Sequence, residues 1–388
     1  MKTCLVSLVG EQTIPNILVA RHYKPEILWF ISTEGMEKEH KTKCITNTLK
    51  ISECLPSDSN VEILQVNQES LIDCINQIES FIDKNDEPVE YIVNITGATK
   101  VMALAAYEVF REIGQKVKIV YIPLGKNEFF QIFPRKKPLK ISEVKERLTL
   151  EEYLTGYGFR ITNKKDFQKI ISNSDCRASL SKWILYNYEQ LKGLLGFFYL
   201  HLKDGRDQRT FILRKTFDRT FSPVEKELLD KCAFEVNGTE FNKTLKKDET
   251  CFLTGGWLED YVFSEVNTLV STGHFNDSMI GIKIESLNGA SNELDIAFMK
   301  DNFFYSIECK TLGEKGEKNI IRDEVYKKGA LSTLLGRGEK RAFICTTHKT
   351  ISDLLAGRGK DYGIEVFNIE QVKCIKDILL KRFAETTR

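Results

Sequence analysis

Two hydrophobic periodicities divide the chain. From its start to about Pro138, apolar runs of strand length alternate with stretches whose apolar residues recur at helical spacing. The runs are Thr3 to Gly10, Glu26 to Thr33, Asn60 to Asn67, Val89 to Thr96 and Lys116 to Pro123; between them lie segments such as Ser70 to Ile78. A β-α-β-α order with strands apolar on both faces predicts a doubly wound, mainly parallel sheet. Such sheets bind ligands at the carboxyl ends of their strands. The alternation stops at Arg135-Lys136-Lys137-Pro138, which reads as a linker, so the first domain is expected over residues 1–138.

Residues 139–248 read as a small, polar, helical connecting domain. Ser222-Pro223-Val224-Glu225 carries a helix start signal: a capping serine, a proline at the first helical position and a glutamate that closes the capping box. Arg206, Arg209, Arg214, Lys215 and Arg219 offer a basic face, although charges of this kind are more often plain solvated surface. A third domain, 249–388, then reads helix (Gly256 to Thr272), three strands (Ser278 to Glu285, Glu293 to Lys300, Phe303 to Lys310), helix (Asn319 to Leu335) and strand (Arg341 to Thr347).

Composition narrows the function classes. Lys+Arg 56 against Asp+Glu 55 gives a formal charge of +1, so any nucleic-acid contact has to come from local patches. Ten cysteines fall with no C-x-x-C pair and no Cys/His ligand spacing, which argues for reduced thiols in a cytosol and against zinc. The short apolar start is too brief for a signal peptide, and no apolar stretch reaches the roughly 18 residues of a spanning helix. The expectation is a cytoplasmic protein with no membrane partner.

The strongest chemical signal is Asn292-Glu293-Leu294-Asp295, a polar turn at Asp301-Asn302, then Glu308-Cys309-Lys310. A hairpin brings Asp295 near Glu308, and strand alternation points Glu308 and Lys310 one way and Cys309 the other. Paired carboxylates can hold Mg²⁺ or Mn²⁺ with coordination sites left for water and a phosphate oxygen, and the lysine can orient or deprotonate the water or stabilise developing charge. Glu259, on the helix opened by Gly255-Gly256-Trp257-Leu258, can face the hairpin as a further ligand, with Asp260 its nearest competitor. The expected catalytic set is Glu259, Asp295, Glu308 and Lys310, and the expected metal set Glu259, Asp295, Glu308 and Cys309. E-x-K alone is common and would suit an ordinary exposed hairpin; the ordered combination is far more specific. Arg322, Tyr326, Lys327 and Lys328, with Arg337, Lys340 and Arg341, suit either a substrate strand or a solvated helix face.

From about Cys251 to Thr347 the chain resembles the restriction-endonuclease-like PD-(D/E)XK nucleases, and more narrowly the cleavage domain of CRISPR-associated CARF nucleases. The resemblance implies Asp295 and Glu308 as metal ligands, Lys310 as the catalytic lysine and Glu259 as the helix acid. One departure is Leu294, which stands where the family carries a proline.

The first domain lacks G-x-G-x-x-G, so an ordinary dinucleotide cofactor is not expected. It offers instead the loop Gly10-Glu11-Gln12-Thr13 and the loop Asn94-Ile95-Thr96-Gly97-Ala98-Thr99-Lys100, which leads into a helix. Glycine permits close approach, hydroxyls and amides gather at a helix N-terminus, and Lys100 adds positive charge: an anion cradle. A ligand-free helix cap explains Thr96 and Thr99 but not the whole cluster. Ser32 and Thr33 end the second strand on the same rim. These loops resemble those of CARF domains, Rossmann-like folds that bind cyclic oligoadenylates. The resemblance implies a homodimer with the ligand across its two-fold axis, and cyclic tetraadenylate as the ring whose symmetry suits two equal subunits. The expected protein is an α/β chain of Rossmann-like CARF domain, helical connecting domain and restriction-endonuclease-like domain. It would act as an activator-switched nuclease of type III CRISPR defence on single-stranded or supercoiled DNA or RNA. The alternative is a CARF-type nucleic-acid-binding regulator without cleavage.

Overall fold

The computed structural model describes residues 2–56, 60–84, 89–123, 125–311 and 341–385. The described residues form two units: one of those up to 161 with 284–291, the other of 162–283, 292–311 and 341–385.

The first unit is built on a seven-stranded sheet of order β3-β2-β1-β4-β5-β6-β7. Its strands are β1 (Lys2–Leu8), β2 (Ile27–Ser32), β3 (Val61–Gln65), β4 (Val89–Asn94), β5 (Val117–Tyr121), β6 (Glu128–Phe133) and β7 (Lys140–Glu143). The first five pair in parallel, in keeping with the two-sided apolar runs of β1, β2 and β4, and β6 and β7 add an antiparallel edge. One face packs on helices Leu71–Lys84 and Lys100–Ile113 through Cys74, Ile78, Met102, Ala105, Val109 and Phe110. Arg135-Lys136-Lys137-Pro138, expected as a linker, joins β6 to β7 inside the sheet. The unit continues through helix Leu150–Gly156 to β8 (Phe159–Ile161), which pairs antiparallel with Ile284–Ser286. Strand order reverses at β1, which lies between β2 and β4, and Ser7 is registered with Asn94. The two glycine loops therefore leave neighbouring strand ends at the topological switch point, where such sheets open a crevice.

In the second unit the connecting region adds to its helices, Phe167–Tyr186 and Tyr188–Leu202, a three-stranded antiparallel sheet: β9 (Thr210–Thr216), β10 (Glu235–Asn237) and β11 (Glu240–Lys246) in order β10-β11-β9. The capping box at Ser222 and Glu225 forms as expected on helix Pro223–Lys231. The main sheet carries β12 (Asp277–Ser286), β13 (Ser291–Lys300), β14 (Phe303–Lys310), β15 (Ala342–Thr346) and β16 (Ile364–Phe367) as successive neighbours. β13 and β14 pair antiparallel; β14, β15 and β16 pair in parallel. Helix Trp257–Ser271 packs on one face of this sheet, burying Trp257, Tyr261, Val262 and Val266 in the same core as Phe298, Ile307 and Phe343. Each fully buried side chain of this size contributes about 2 kcal/mol. The connecting helices share this core through Leu191, Leu194 and Phe198, so the region packs as part of the second unit. The helix expected over Asn319 to Leu335, with Arg322, Tyr326, Lys327, Lys328, Arg337 and Lys340, lies outside the described residues. Among the described residues no helix is long and apolar enough to cross a membrane.

Candidate active site and ligand crevice

At the switch point the two loops touch backbone to backbone. A Cβ on Gly10 would sit 1.6 Å from the Gly97 carbonyl oxygen, and Gly97 itself takes φ +89° with the Gln12 carbonyl 3.3 Å from where its Cβ would be. Only glycine permits both features. Beneath the loops lies a buried polar layer: Asn16 Nδ2 donates to Ser7 Oγ (2.9 Å) and to the Leu8 carbonyl (2.8 Å), and Asn94 Nδ2 donates to Ser7 Oγ (3.2 Å). Thr96 Oγ1 accepts from the Ile122 amide, Thr33 Oγ1 from the Met36 amide and Thr99 Oγ1 from the Met102 amide. Thr13 Oγ1 donates to the Gly156 carbonyl (2.5 Å), and Gln12 Oε1 accepts from the Tyr157 hydroxyl (2.6 Å).

The expected ligand residues therefore separate by role. Gly10, Thr13, Ser32, Thr33, Asn94 and Thr96 are buried and shape the rim, whereas Glu11, Gly97, Thr99 and Lys100 are exposed at its mouth, with Gln12 and Ala98 half-buried. Lys100 opens a fourteen-residue helix whose N-terminal amides face the same mouth, a favourable place for an anion. Asn16 and Tyr157 escaped the sequence reading. An asparagine inside the apolar helical run Ile14 to Ala20 was a usable signal for the first; nothing local marked the second.

In the second unit the hairpin β13-β14 registers Ile296 with Ile307, and one further step sets Asp295 across from Glu308. The Cys309 amide donates to Asp295 Oδ2 (2.8 Å), and Lys310 Nζ donates to Glu308 Oε1 (2.7 Å). Glu259 joins them from the first turn of its helix. Burial and then the negative charges of Asp295, Asp260 and Glu308 hold its carboxyl well above the usual carboxylate range, with the Lys310 ammonium opposing them. Asp260 is directed elsewhere: it is buried, near Ser174 and Arg177 of helix Phe167–Tyr186, and burial raises it to about 6. Of the two candidate helix acids, Glu259 is the one that meets the hairpin.

Cys309, expected among the metal ligands, turns its thiol into the apolar core beside Cys345. Burial and the hydrogen bond with Cys345 push that thiol up, which disfavours a thiolate ligand. Residue 309 faces the carboxylates only through its main chain. Among the described residues no group of three His, Cys, Asp or Glu side chains is spaced to hold a metal by itself. A hard dication of the Mg²⁺ type does not need such a cage, since one or two carboxylates suffice when water and phosphate complete the shell. A partly desolvated acid cluster with one lysine is a donor set of that kind.

The expected basic face of the connecting region does not assemble. Arg206 turns inward to Thr254, Arg219 pairs with Glu225, and Arg214 and Lys215 are successive residues of β9 that point to opposite faces. Arg341 stacks over Phe303 at 4.4 Å.

Comparison with known families matches residues 4–153 to the Card1 CARF domain and residues 246–386 to the Card1-like endonuclease domain. No curated protein matches the chain. Among solved structures, protein VC1899 from Vibrio cholerae superposes with a TM-score of 0.80 at 18% identity, covering 99% of this chain and 98% of that one. Can2 from Sulfobacillus thermosulfidooxidans, solved in complex with cyclic tetra-adenylate, gives 0.75 at 20% identity and 98% of each chain. A type III CRISPR defence DNA nuclease activated by cyclic oligoadenylate gives 0.54 at 16% identity, with 90% of this chain on 46% of that one. At these identities the superpositions speak for a shared fold.

Proposed function

With a Card1-type CARF domain followed by a Card1-like endonuclease domain, the chain belongs to the CRISPR-associated CARF nucleases, and we propose that it is a metal-dependent nuclease switched on by cyclic tetraadenylate. The observation that carries the reading is the meeting of Glu259, Asp295 and Glu308 beside Lys310 at one end of the central hairpin. Mg²⁺ or Mn²⁺ bound by Asp295 and Glu308, with Glu259 alongside, would acidify the attacking water and neutralise charge developing on the phosphate. Glu308 holds the Lys310 ammonium in place, and Lys310 orients the water or steadies the developing charge. The main-chain amide of Cys309 fixes the Asp295 carboxylate against rotation.

The activator reading rests on the exposed Gly97, Thr99 and Lys100 at the switch-point crevice, and on the cyclic tetra-adenylate bound to Can2. A ring with two-fold symmetry suits a homodimer that presents two copies of each loop. For the switch to operate, the ring has to bind the cutting-competent arrangement more tightly than the idle one. Free cysteines throughout agree with work in a reducing cytoplasm, on single-stranded or supercoiled DNA or on RNA.

The test incubates the purified protein with labelled DNA and RNA, Mn²⁺ or Mg²⁺, with and without cyclic tetraadenylate. Cutting is expected only with both metal and activator. Glu308→Ala should lose about 1,000-fold or more of the cleavage rate, the scale of removing a group that stabilises developing charge, while binding the activator like wild type. Lys100→Ala should weaken activator binding by about 10- to 100-fold, the worth of one charge-assisted contact. Wild-type protein that binds the ring but cuts nothing would leave a CARF-type regulator in place of a nuclease.

A further inference from the structure

We propose that Arg206 is a positioning residue of the cleavage centre, fixing the glycine turn that aims Glu259 at Asp295 and Glu308. The inference rests on the nuclease reading above and adds a residue to that site. Helix Trp257–Ser271, which carries Glu259, does not start from an ordinary cap. It is preceded by a π-type turn, Phe252–Gly256, in which Thr254 (φ −99°, ψ 16°) and Gly255 (φ +134°) leave helical geometry. Insertions of this kind recur at functional sites because they re-aim the residues that follow. Gly255 takes a backbone conformation that side chains disfavour, and a Cβ on Gly256 would lie 3.0 Å from the Cys251 carbonyl oxygen. The turn's shape therefore depends on both glycines and needs something to hold it.

Arg206 supplies the hold. Its Nε donates to Thr254 Oγ1 (2.7 Å) and its Nη2 to the Thr254 carbonyl, so one planar fork grips the side chain and main chain of a single buried residue. The guanidinium lies over the Tyr199 ring at 5.5 Å, which restricts it further. Thr254 passes the constraint on, donating to the Thr250 carbonyl at 2.7 Å. On the other side of the turn, the position of the missing Gly255 Cβ is 3.0 Å from Oγ1 of Thr311, the residue after Lys310. The turn is thus wedged between Arg206 and the end of the strand that bears Glu308 and Lys310, and Glu259 follows it within one helical turn. A rigid two-pronged donor suits this task where a lysine ammonium does not. Removing it would leave the Thr254 carbonyl buried without that donor and free the turn to shift. Partners that only orient metal ligands are typically worth about 10- to 100-fold in metal affinity or rate.

The test compares full-length wild type, Arg206→Ala, Arg206→Lys, Thr254→Val and Glu308→Ala. Mn²⁺ affinity is read from the free-ion EPR signal, activator affinity by calorimetry, and kcat and KM for DNA at saturating activator. Arg206→Ala and Thr254→Val should each weaken Mn²⁺ binding and lower kcat by about tenfold or more, with KM and activator affinity within about twofold of wild type. Arg206→Lys, which keeps the charge and loses the fork, should restore little. Thr254→Val leaves Arg206 in place, so it separates geometry from charge and carries the test alone if Arg206→Ala does not fold. Mn²⁺ affinity and kcat within twofold of wild type in Thr254→Val would overturn the proposal. So would a KM rise confined to Arg206→Ala, which would make Arg206 a substrate contact. Wild type that binds Mn²⁺ but cuts nothing overturns the nuclease reading itself, a failure that the Arg206 variants cannot mimic.

Discussion

At Gly10 a single hydrogen in place of a methyl group decides whether two loops can cross, because a Cβ there would overlap the Gly97 carbonyl oxygen at 1.6 Å. Gly10→Ala must push the loops apart, and its expected cost is at least about 2 kcal/mol, the range for forced overpacking. In a unit of this size that lowers the midpoint of thermal unfolding by roughly 4 °C or more, readable by calorimetry, and activator binding should fall with it. A variant as stable as wild type would mean that the loops do not cross as described. At the same scale the sequence supplies most of the proposed cleavage centre. Asp295, Glu308 and Lys310 follow from strand alternation and a hairpin, both short-range rules. The sequence already preferred Glu259 to Asp260, and the structure adds that burial raises the Asp260 carboxyl to about 6.

Among the elements, helix Pro223–Lys231 shows how a local signal acquires a tertiary role. Its capping box was readable from Ser222 and Glu225, yet Glu225 also accepts two hydrogen bonds from Arg219, at 2.7 and 2.6 Å, in a fully buried position. Burial alone would raise the Glu225 carboxyl, but the Arg219 guanidinium and the Ser222 amide outweigh it and hold it below the usual 4.5. A carboxyl lowered by folding contributes stability that is present above its unfolded value and lost as pH falls through its folded one. Glu225→Gln should therefore destabilise the protein at pH 7, with a penalty that shrinks as pH drops below about 4.5. Urea unfolding at pH 7 and pH 4 measures this, and a pH-independent penalty would contradict it. The antiparallel strands β6, β7, β9, β10 and β11 were not foreseen. Their mixed or wholly exposed patterns carry weaker signals than the two-sided apolar runs of β1, β2 and β4.

Taken whole, the molecule joins two units with separate cores, and a ligand that binds one of them stabilises that unit by mass action. Cyclic tetraadenylate at about 100 times its Kd should add about 2.7 kcal/mol to the first unit and raise its unfolding midpoint by on the order of 5–10 °C. Glu308→Ala should keep that shift and Lys100→Ala should lose it at the same concentration; a wild type with no shift would refute the activator reading. The sequence alone determined the succession of strands and helices in the first domain, the two glycine loops and the acid-acid-lysine string, because each is written in residues close along the chain. It also carried the resemblance to CARF nucleases that the matches to both domains bear out. Only the tertiary structure decided that residues 135–138 connect two strands of one sheet and that Arg206 grips the turn before Glu259. Those outcomes depend on which distant segments share a face. That is settled by burial and by the need of every buried polar group for a partner, and no local pattern encodes it.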